Sequence, residues 1–276
     1  MPVANLERMA IHQGTTPFWS FAEAVEGYAR HGFRAMSVRR EKAVEYGIEA
    51  SAKLLRDAGM AVIGLSGPVP MTASDPAERL QQLEENKRAI DDAAALGAGF
   101  IVVIGGPLPP GSKDMKGARE AVHDMMAELI PHADACGVKL GLEPLTPMVA
   151  GENSCINTME STNNICESLG PSVGIVVDIY HVWWDPLLRG QLQRAGRSEK
   201  LLAFHICDWR VPTRDRFQDR AMMGDGVIDI PQIEHWMREA GFDGWNEIEI
   251  FSAEDWWKRD PDEFLATCVE RYRTHV

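Results

Sequence analysis

Short apolar runs alternate with longer amphipathic segments along the whole chain, and this pair repeats eight times. Runs rich in β-branched residues and bounded by turn residues predict buried strands, whereas apolar positions about three or four residues apart predict helices. The strands are predicted at residues 8–13, 35–39, 61–66, 100–104, 138–142, 174–178, 201–207 and 245–251. The helices are predicted at residues 21–31, 41–58, 76–96, 115–136, 158–169, 186–195, 231–240 and 261–272.

A strict alternation of strands and helices is typical of an α/β fold with a parallel sheet, and eight units close a (β/α)8 TIM barrel. Glycines such as Gly59, Gly97 and Gly137 follow the predicted helices, as suits the left-handed residue that often ends a helix. An open doubly wound sheet usually carries a glycine-rich phosphate loop after its first strand, and H-Q-G-T-T-P lacks that pattern. Because no linker-like tract interrupts the chain, we expect residues 1–276 to form a single barrel domain.

Composition narrows the class of partner. The chain has 28 basic and 41 acidic residues, and the net charge of −13 disfavours a nucleic-acid partner. Its five cysteines form no C-x-x-C pair, which indicates reduced thiols. No apolar run approaches the roughly 20 residues of a membrane span, and the amino terminus lacks the pattern of a signal peptide. We therefore expect a cytoplasmic protein that binds neither nucleic acid nor membrane.

Polar side chains follow the last four predicted strands, where each strand ends. They are Glu143, Asp178, His205 and Glu249, although Glu247 lies on the same face of its strand as Glu249 and competes with it. In a barrel these ends meet at one mouth, where chemistry is usually located, and a buried carboxylate needs a partner. Three carboxylates and one imidazole suit one divalent ion, with Mn²⁺ expected and Mg²⁺, Co²⁺ or Zn²⁺ as alternatives. Taken alone, each residue also has a structural interpretation. A carboxylate can cap a helix or form an ion pair, and a histidine can be a hydrogen-bonded residue of the core.

Five motifs carry a resemblance to a known family: G-L-E-P-L, V-V-D-I-Y-H, F-H-I-C-D-W, G-D-G-V-I-D and I-E-I-F-S-A-E-D-W-W. In this order they resemble the xylose isomerase-like barrel superfamily, which includes the D-tagatose 3-epimerase, hydroxypyruvate isomerase and inosose dehydratase groups. The resemblance implies that Glu143, Asp178, His205 and Glu249 bind one metal, and it favours Glu249 over Glu247. It also implies an isomerase or epimerase of a keto-sugar or sugar phosphate, in which Glu143 and Glu249 transfer a proton through an enediolate. Relatives often form dimers or tetramers, so a homo-oligomer is expected.

Four further residues are candidates for substrate binding. By resemblance, His181 holds a substrate hydroxyl, with a hydrogen bond to a metal ligand as the alternative. Arg210 takes the place of the arginine that relatives carry shortly after the histidine of the seventh strand. His12 ends the first strand and faces the same mouth. Trp183 lies in a loop after the sixth strand, where an indole ring stacks on sugar C–H faces or serves an oligomer contact.

The long loop at residues 208–229 holds four arginines. One interpretation is that they bind a phosphate, a carboxylate or a phenolic ring of the substrate. The alternative is that they belong to a solvated loop or a subunit contact. These arginines are Arg210, Arg214, Arg216 and Arg220. A glutamate that epimerase relatives carry after their early strands has no clear counterpart, which leaves the substrate open.

Two other activities use related barrels. One is a metal-dependent lyase on an oxidised sugar, similar to inosose dehydratase or the C-glycoside deglycosidases. The other is an endonuclease IV-like nuclease, which needs additional histidines after the early strands and after strand seven. This chain has Ser66, Gly105 and a G-D-G segment at those places, and its charge is strongly acidic. The nuclease is therefore disfavoured.

Overall fold

The computed structural model describes residues 6–67 and 69–276, and in this part of the chain eight parallel strands close into a barrel. The barrel strands are β1 (Met9–His12), β2 (Ala35–Arg39), β3 (Ala61–Ser66), β4 (Phe100–Val103), β5 (Lys139–Leu142), β6 (Val173–Asp178), β7 (Leu201–Ile206) and, after two short strands, β10 (Asn246–Ile248). β10 pairs with both β1 and β7, which closes the ring. The predicted (β/α)8 barrel is confirmed. The expectation of no signal peptide rests partly on residues 1–5, which lie outside the described residues.

Helices pack around the outside of the barrel. They are α1 (Phe21–Arg30), α2 (Arg40–Tyr46), α3 (Ile48–Asp57), α4 (Pro76–Leu96), α5 (Met115–Cys136), α6 (Met159–Leu169), α7 (Ile179–Val182), α8 (Leu188–Arg197), α9 (Ile230–Glu239) and α10 (Pro261–His275). Several begin at a sequence-encoded cap: Asp75 accepts hydrogen bonds from the first amides of α4, and Pro76 occupies the first turn. Within the described residues, no helix is both long and apolar enough to span a membrane.

The structure differs from the sequence-based elements at three places. The helix predicted at residues 41–58 is two helices, α2 and α3, because Gly47 between them has a φ of 95°, which a continuous helix does not allow. The short helix α7 follows β6 directly, and α8 begins at Leu188 rather than at residue 186. β10 ends at Ile248, since the next part of the chain leaves the sheet and the amide of Ile250 donates to the Thr15 hydroxyl (3.3 Å).

Parallel pairing aligns the carboxyl ends of the strands that carry the candidate ligands. Asp178 on β6 is in register with His205 on β7, and His205 is in register with Glu247 on β10. Beneath them, Val176 and Ala203 pack with Phe100 and Val102 in an apolar cluster. Because side chains alternate along a strand, Val176 and Ala203 share the inner face of Asp178 and His205. The polar residues at the mouth therefore lie directly above an apolar floor.

The loop after β7 contains a small hairpin that overhangs the mouth. Its strands β8 (Asp208–Trp209) and β9 (Arg220–Ala221) pair antiparallel, and the Arg220 amide donates to the carbonyl of Phe251 (2.9 Å). The buried Asp208 carboxylate accepts hydrogen bonds from the amides of Gly224, Gly226 and Ile228 at 2.9–3.0 Å. These bonds fix the returning part of the loop and hold Arg220 at the barrel mouth.

Candidate metal centre

Four side chains converge at the mouth of the barrel. Glu143 follows β5, Asp178 ends β6, His205 lies on β7 and Glu249 follows β10. All four are buried, and one ligand atom from each lies within 4.8 Å of the others. The structure therefore brings together the four residues predicted from the sequence, and they form a site that could hold a metal ion.

The donor atoms fit a divalent cation. Oε1 of Glu143 and Oδ2 of Asp178 are buried and accept no hydrogen bond of good geometry among the described residues, although Nη1 of Arg220 lies 2.8 Å from Oδ2 of Asp178. Buried carboxylate oxygens need further compensation, which a cation could supply. Nδ1 of His205 faces Oε2 of Glu249 at 3.1 Å and Oε1 of Glu143 at 3.4 Å. Three carboxylates and an imidazole that point at one place match the ligand preferences of Mn²⁺, Mg²⁺, Co²⁺ and Zn²⁺.

The structure separates Glu249 from Glu247. Glu247 lies on the far side of the His205 ring, with its Oε2 3.6 Å from Nε2, and accepts a hydrogen bond from the Ser37 hydroxyl (2.8 Å). A carboxylate behind a histidine favours the proton on the nitrogen it faces and leaves the other nitrogen free to bind a metal. Glu247 thus faces the nitrogen of His205 that points away from the cluster, while Glu249 belongs to the cluster. Strand periodicity alone could not make this distinction.

Arg220 also contacts this site, although the sequence analysis named it only as one of four arginines in the long loop. Its Nη1 lies 2.8 Å from Oδ2 of Asp178, donates to Oε2 of Glu249 (3.0 Å) and donates to the Glu249 carbonyl (3.2 Å). The guanidinium is sandwiched between the rings of Tyr180 and Phe251, each centred 4.6 Å away. Only 2% of the residue is exposed. The one available signal was its position before the apolar run Ala-Met-Met, which favours a buried segment.

The other arginines of this loop pair with acids at the rim. Arg210 has Nε 3.2 Å from Oδ1 of Asp219 and donates from Nη2 to Oδ2 of Asp255 (3.1 Å). Arg214 also bonds Asp219, and Arg216 forms a two-point ion pair with Glu152 at 2.6 and 3.1 Å. Substrate binding by Arg210 therefore stays a prediction, and Arg220 is the loop arginine that contacts the cluster.

Two buried histidines flank the cluster in neutral form. Nδ1 of His12 accepts from the Gly14 amide (3.0 Å) and lies 3.4 Å from Oε1 of Glu249, while its Nε2 is 2.8 Å from the Ser66 hydroxyl. Burial lowers the pKa of His12 to about 4. Nδ1 of His181 accepts from the Thr146 amide (3.2 Å), and its Nε2 lies 3.5 Å from both Oδ2 of Asp178 and Nη2 of Arg220. Burial and Arg220 hold the pKa of His181 well below its usual range.

A cavity of about 370 Å³ opens beside the cluster. His12, Glu143, His205 and Glu249 form part of its lining. Apolar and aromatic side chains complete much of the wall: Val102, Ile104, Phe217, Phe251 and Trp257. Its volume lies within the range of about 300–1,000 Å³ that small-molecule sites occupy. Trp183 is not among the described lining residues; it packs against Trp209, with ring centroids 5.8 Å apart.

Burial and neighbouring charges shift the pKa values of the carboxyl groups at the centre. Burial raises the pKa of Asp178 to about 7, with Arg220 opposing this shift, and burial raises the pKa of Glu143 as well. Burial would also raise the pKa of Glu249, but Arg220, His12 and His205 together hold it well below its usual value. Burial raises the pKa of Glu247 to about 7. Burial would lower the pKa of His205, but Glu247, Glu249 and Glu143 raise it well above its usual value. A divalent ion would stabilise the charged form of the carboxylates around it.

Comparison with known proteins supplies the context for this geometry. The chain is similar to the inosose isomerase of Bacillus velezensis, with 25% identity over 255 residues that cover 87% of this chain and 86% of that protein. Among solved structures, protein SMc04130 from Sinorhizobium meliloti 1021 superposes with a TM-score of 0.95 at 45% identity, covering 98% of this chain and 99% of the other. The IOLI protein with a bound zinc atom superposes with a TM-score of 0.83 at 22% identity, over 96% of each chain, which shows the shared fold. The family model described as xylose isomerase-like TIM barrel matches residues 25–268, and the chain belongs to that family.

Proposed function

We propose that this protein is a divalent-metal-dependent isomerase or epimerase of a keto-sugar or a related cyclic polyol ketone. The observation that carries the proposal is the cluster of Glu143, Asp178, His205 and Glu249, which lies beside a cavity at the mouth of the barrel. The similarity to an inosose isomerase supports the same class, because an inosose is a ketone of a cyclic polyol.

The four residues of the cluster would hold the ion. When bound, a divalent ion polarises the carbonyl of a chelating hydroxy-ketone and makes the neighbouring C–H more acidic. Mn²⁺ is the ion that we expect, because hard carboxylate oxygens outnumber the single imidazole. Mg²⁺, Co²⁺ and Zn²⁺ remain alternatives that metal analysis of the purified protein distinguishes.

Glu143 and Glu249 are proposed to move the proton. Both border the cavity, and they approach the same nitrogen of His205 from their separate strands, at 3.4 and 3.1 Å. One carboxylate takes the proton from the carbon next to the carbonyl, which leaves an enediolate of the substrate. The other then protonates the neighbouring carbon in an isomerisation, or the opposite face of the same carbon in an epimerisation. Arg220 fixes one oxygen of Glu249 and so orients this carboxylate toward the cavity.

The cavity favours a substrate without a phosphate group. Arg39 is the arginine in its described lining, and its guanidinium is paired with Glu41. Arg220 is buried, pairs with Asp178 and Glu249 through Nη1, and is not among the described residues that line the cavity. Phosphate recognition usually needs an available arginine fork or a row of backbone amides. We therefore infer an uncharged polyol ketone. His12 lines the cavity and is proposed to contact one of its hydroxyls, whereas His181 is not among the described lining residues, so its contact with substrate stays a prediction.

The decisive experiment is exchange of carbon-bound hydrogen with solvent deuterium. The Mn²⁺-loaded enzyme is incubated in D₂O with ketohexoses, inositol ketones and 3-keto-glycosides, each beside its phosphorylated counterpart where one exists. Exchange at the carbon next to the carbonyl, lost in Glu143→Gln and Glu249→Gln, supports the proposal. Glu234→Gln is the matched control, since Glu234 is a buried carboxylate that pairs with Arg238 on a helix away from the mouth.

The products of the same incubation separate the rival activities. An epimer or an isomer with deuterium at the exchanged carbon identifies the proposed reaction. Release of water or of an aglycone assigns the lyase instead. Tight metal binding with no exchange on any compound of the panel contradicts the proposed chemistry.

A further inference from the structure

A second group of metal-binding side chains lies on the outer surface, between α4 and α5. Asp91 projects from α4, and His132 and Cys136 project from α5. Nε2 of His132 is 2.8 Å from Oδ1 of Asp91, and the Cys136 thiol is 3.6 Å from the same oxygen. One ligand atom from each residue lies within 4.8 Å of the others. None of these residues takes part in the centre at the barrel mouth.

The spacing of these atoms is close to that of a tetrahedral zinc site. Bonds of about 2.0–2.3 Å to nitrogen, oxygen and sulfur place neighbouring ligand atoms about 3.3–3.7 Å apart. The thiol–carboxylate distance of 3.6 Å already has this value, and the imidazole–carboxylate distance of 2.8 Å needs to open by about half an ångström. His132 and Cys136 are four positions apart on one helix, so both side chains leave the same face.

The ligand types of Asp91, His132 and Cys136 also favour some metal ions over others. Thiolate and imidazole ligands favour Zn²⁺ over Mg²⁺ or Ca²⁺, which prefer oxygen. Among the cysteines of the chain, Cys136 is partly exposed whereas Cys155, Cys166, Cys207 and Cys268 are buried. The thiol that an ion in solvent can reach is therefore the one that lies beside a histidine and an aspartate.

We propose that Asp91, His132 and Cys136 form a second metal site, which binds Zn²⁺ or a similar thiophilic dication with water as the fourth ligand. The site is independent of the proposed catalytic function. It joins two consecutive helices whose ends lead into β4 and β5. Bound metal would therefore hold these two units of the barrel together and stabilise the folded chain by mass action.

Alkylation of Cys136 tests the proposal on the intact protein. The chain is stripped with EDTA, incubated with or without ZnCl₂ and treated with iodoacetamide, and modification of each cysteine is followed by peptide mass spectrometry. At free Zn²⁺ about ten times the Kd, we expect alkylation of Cys136 to slow about tenfold, together with a higher Tm. Cobalt provides a second readout, because a Co²⁺–thiolate charge-transfer band appears only when Cys136 is a ligand.

Variants separate the proposed site from other effects. Asp91→Asn and His132→Ala should abolish the protection of Cys136, and Cys136→Ser should lose the cobalt band. His123→Ala is the matched control, since His123 lies on the same helix and pairs with Asp124. Asp178→Asn removes a ligand of the barrel centre, so protection that survives in this variant assigns the effect to the surface site. Equal alkylation with and without zinc, or unchanged protection in His132→Ala, overturns the proposal.

Discussion

Replacing Arg220 with methionine tests the electrostatic account of the barrel centre. Methionine keeps apolar bulk between Tyr180 and Phe251 but removes the guanidinium, which is the one arginine or lysine charge that contacts Asp178 and Glu249 in the part of the chain that the structure describes. Removing one partner of a buried ion pair typically costs about 3–5 kcal/mol, because the remaining charge stays buried without compensation. We expect a loss of this size in the free energy of unfolding of the metal-free protein.

Bound metal should reduce this loss. The ion would then compensate the charges of Asp178 and Glu249, so the free energy of unfolding would depend less on the guanidinium. What Arg220 still contributes is its contact with the two aromatic rings and its bond to the Glu249 carbonyl, about 1–2 kcal/mol together. The variant should therefore be rescued by Mn²⁺ by about 2–3 kcal/mol relative to the parent protein.

Urea unfolding followed by circular dichroism, in EDTA and in saturating Mn²⁺, measures both quantities. Arg216→Met is the control, because Arg216 lies on the same loop but forms a half-exposed ion pair with Glu152, which solvent screens. This control should lose less stability, and by the same amount in both conditions. Equal losses for Arg220→Met with and without metal would refute the idea that Arg220 and the ion compensate the same carboxylates.

Three further outcomes are expected. Glu249→Gln should lower substrate deuterium exchange about 10²–10⁴-fold at saturating Mn²⁺, measured by mass spectrometry, because an amide cannot accept the proton. Glu247→Gln should weaken metal binding about 10–100-fold in calorimetry while all four ligands remain, since His205 loses the negative charge that faces its Nε2. Gly47→Ala should cost about 1–3 kcal/mol in urea unfolding, because alanine is strained at a φ of 95°. Wild-type values in any of these would contradict the corresponding assignment.

The barrel could be predicted from the sequence because each of its units is encoded locally. Apolar runs, caps and terminal glycines mark strands and helices within a few residues, and eight repeats leave little choice of architecture. The division between α2 and α3 was missed because glycine at position 47 is compatible with a helix pattern, and only its backbone conformation shows that the helix stops. The limits of β10 were misjudged because hydrogen bonds from elsewhere in the chain end the strand.

The candidate site could be predicted only in part from the sequence. Ligands at strand ends follow from the fold, whereas loop residues reach the site through contacts distant in sequence. Arg210 was chosen by its spacing from His205, but it lies at the rim, and Arg220 reaches the centre because the hairpin folds back over the mouth. The one local difference between these two arginines is the apolar run Ala-Met-Met that follows Arg220. The amides of Gly224 and Ile228, which donate to Asp208, hold the returning loop so that Arg220 points inward.

The apolar floor of the barrel is a physical reason to expect that the centre uses a bound cation as well as Arg220. Val102, Val176 and Ala203 exclude water below the cluster, so the carboxylates cannot be stabilised by solvent from that side. The guanidinium of Arg220 contacts Asp178 and Glu249, whereas Oε1 of Glu143 has, among the described residues, only the His205 imidazole as an ion-pair partner, with Nδ1 3.4 Å away. If a metal ion binds here, Arg220 would hold Asp178 and Glu249 in place in the metal-free protein, and the ion would compensate the charge that remains. The paired urea curves of Arg220→Met measure how the two cations divide this compensation.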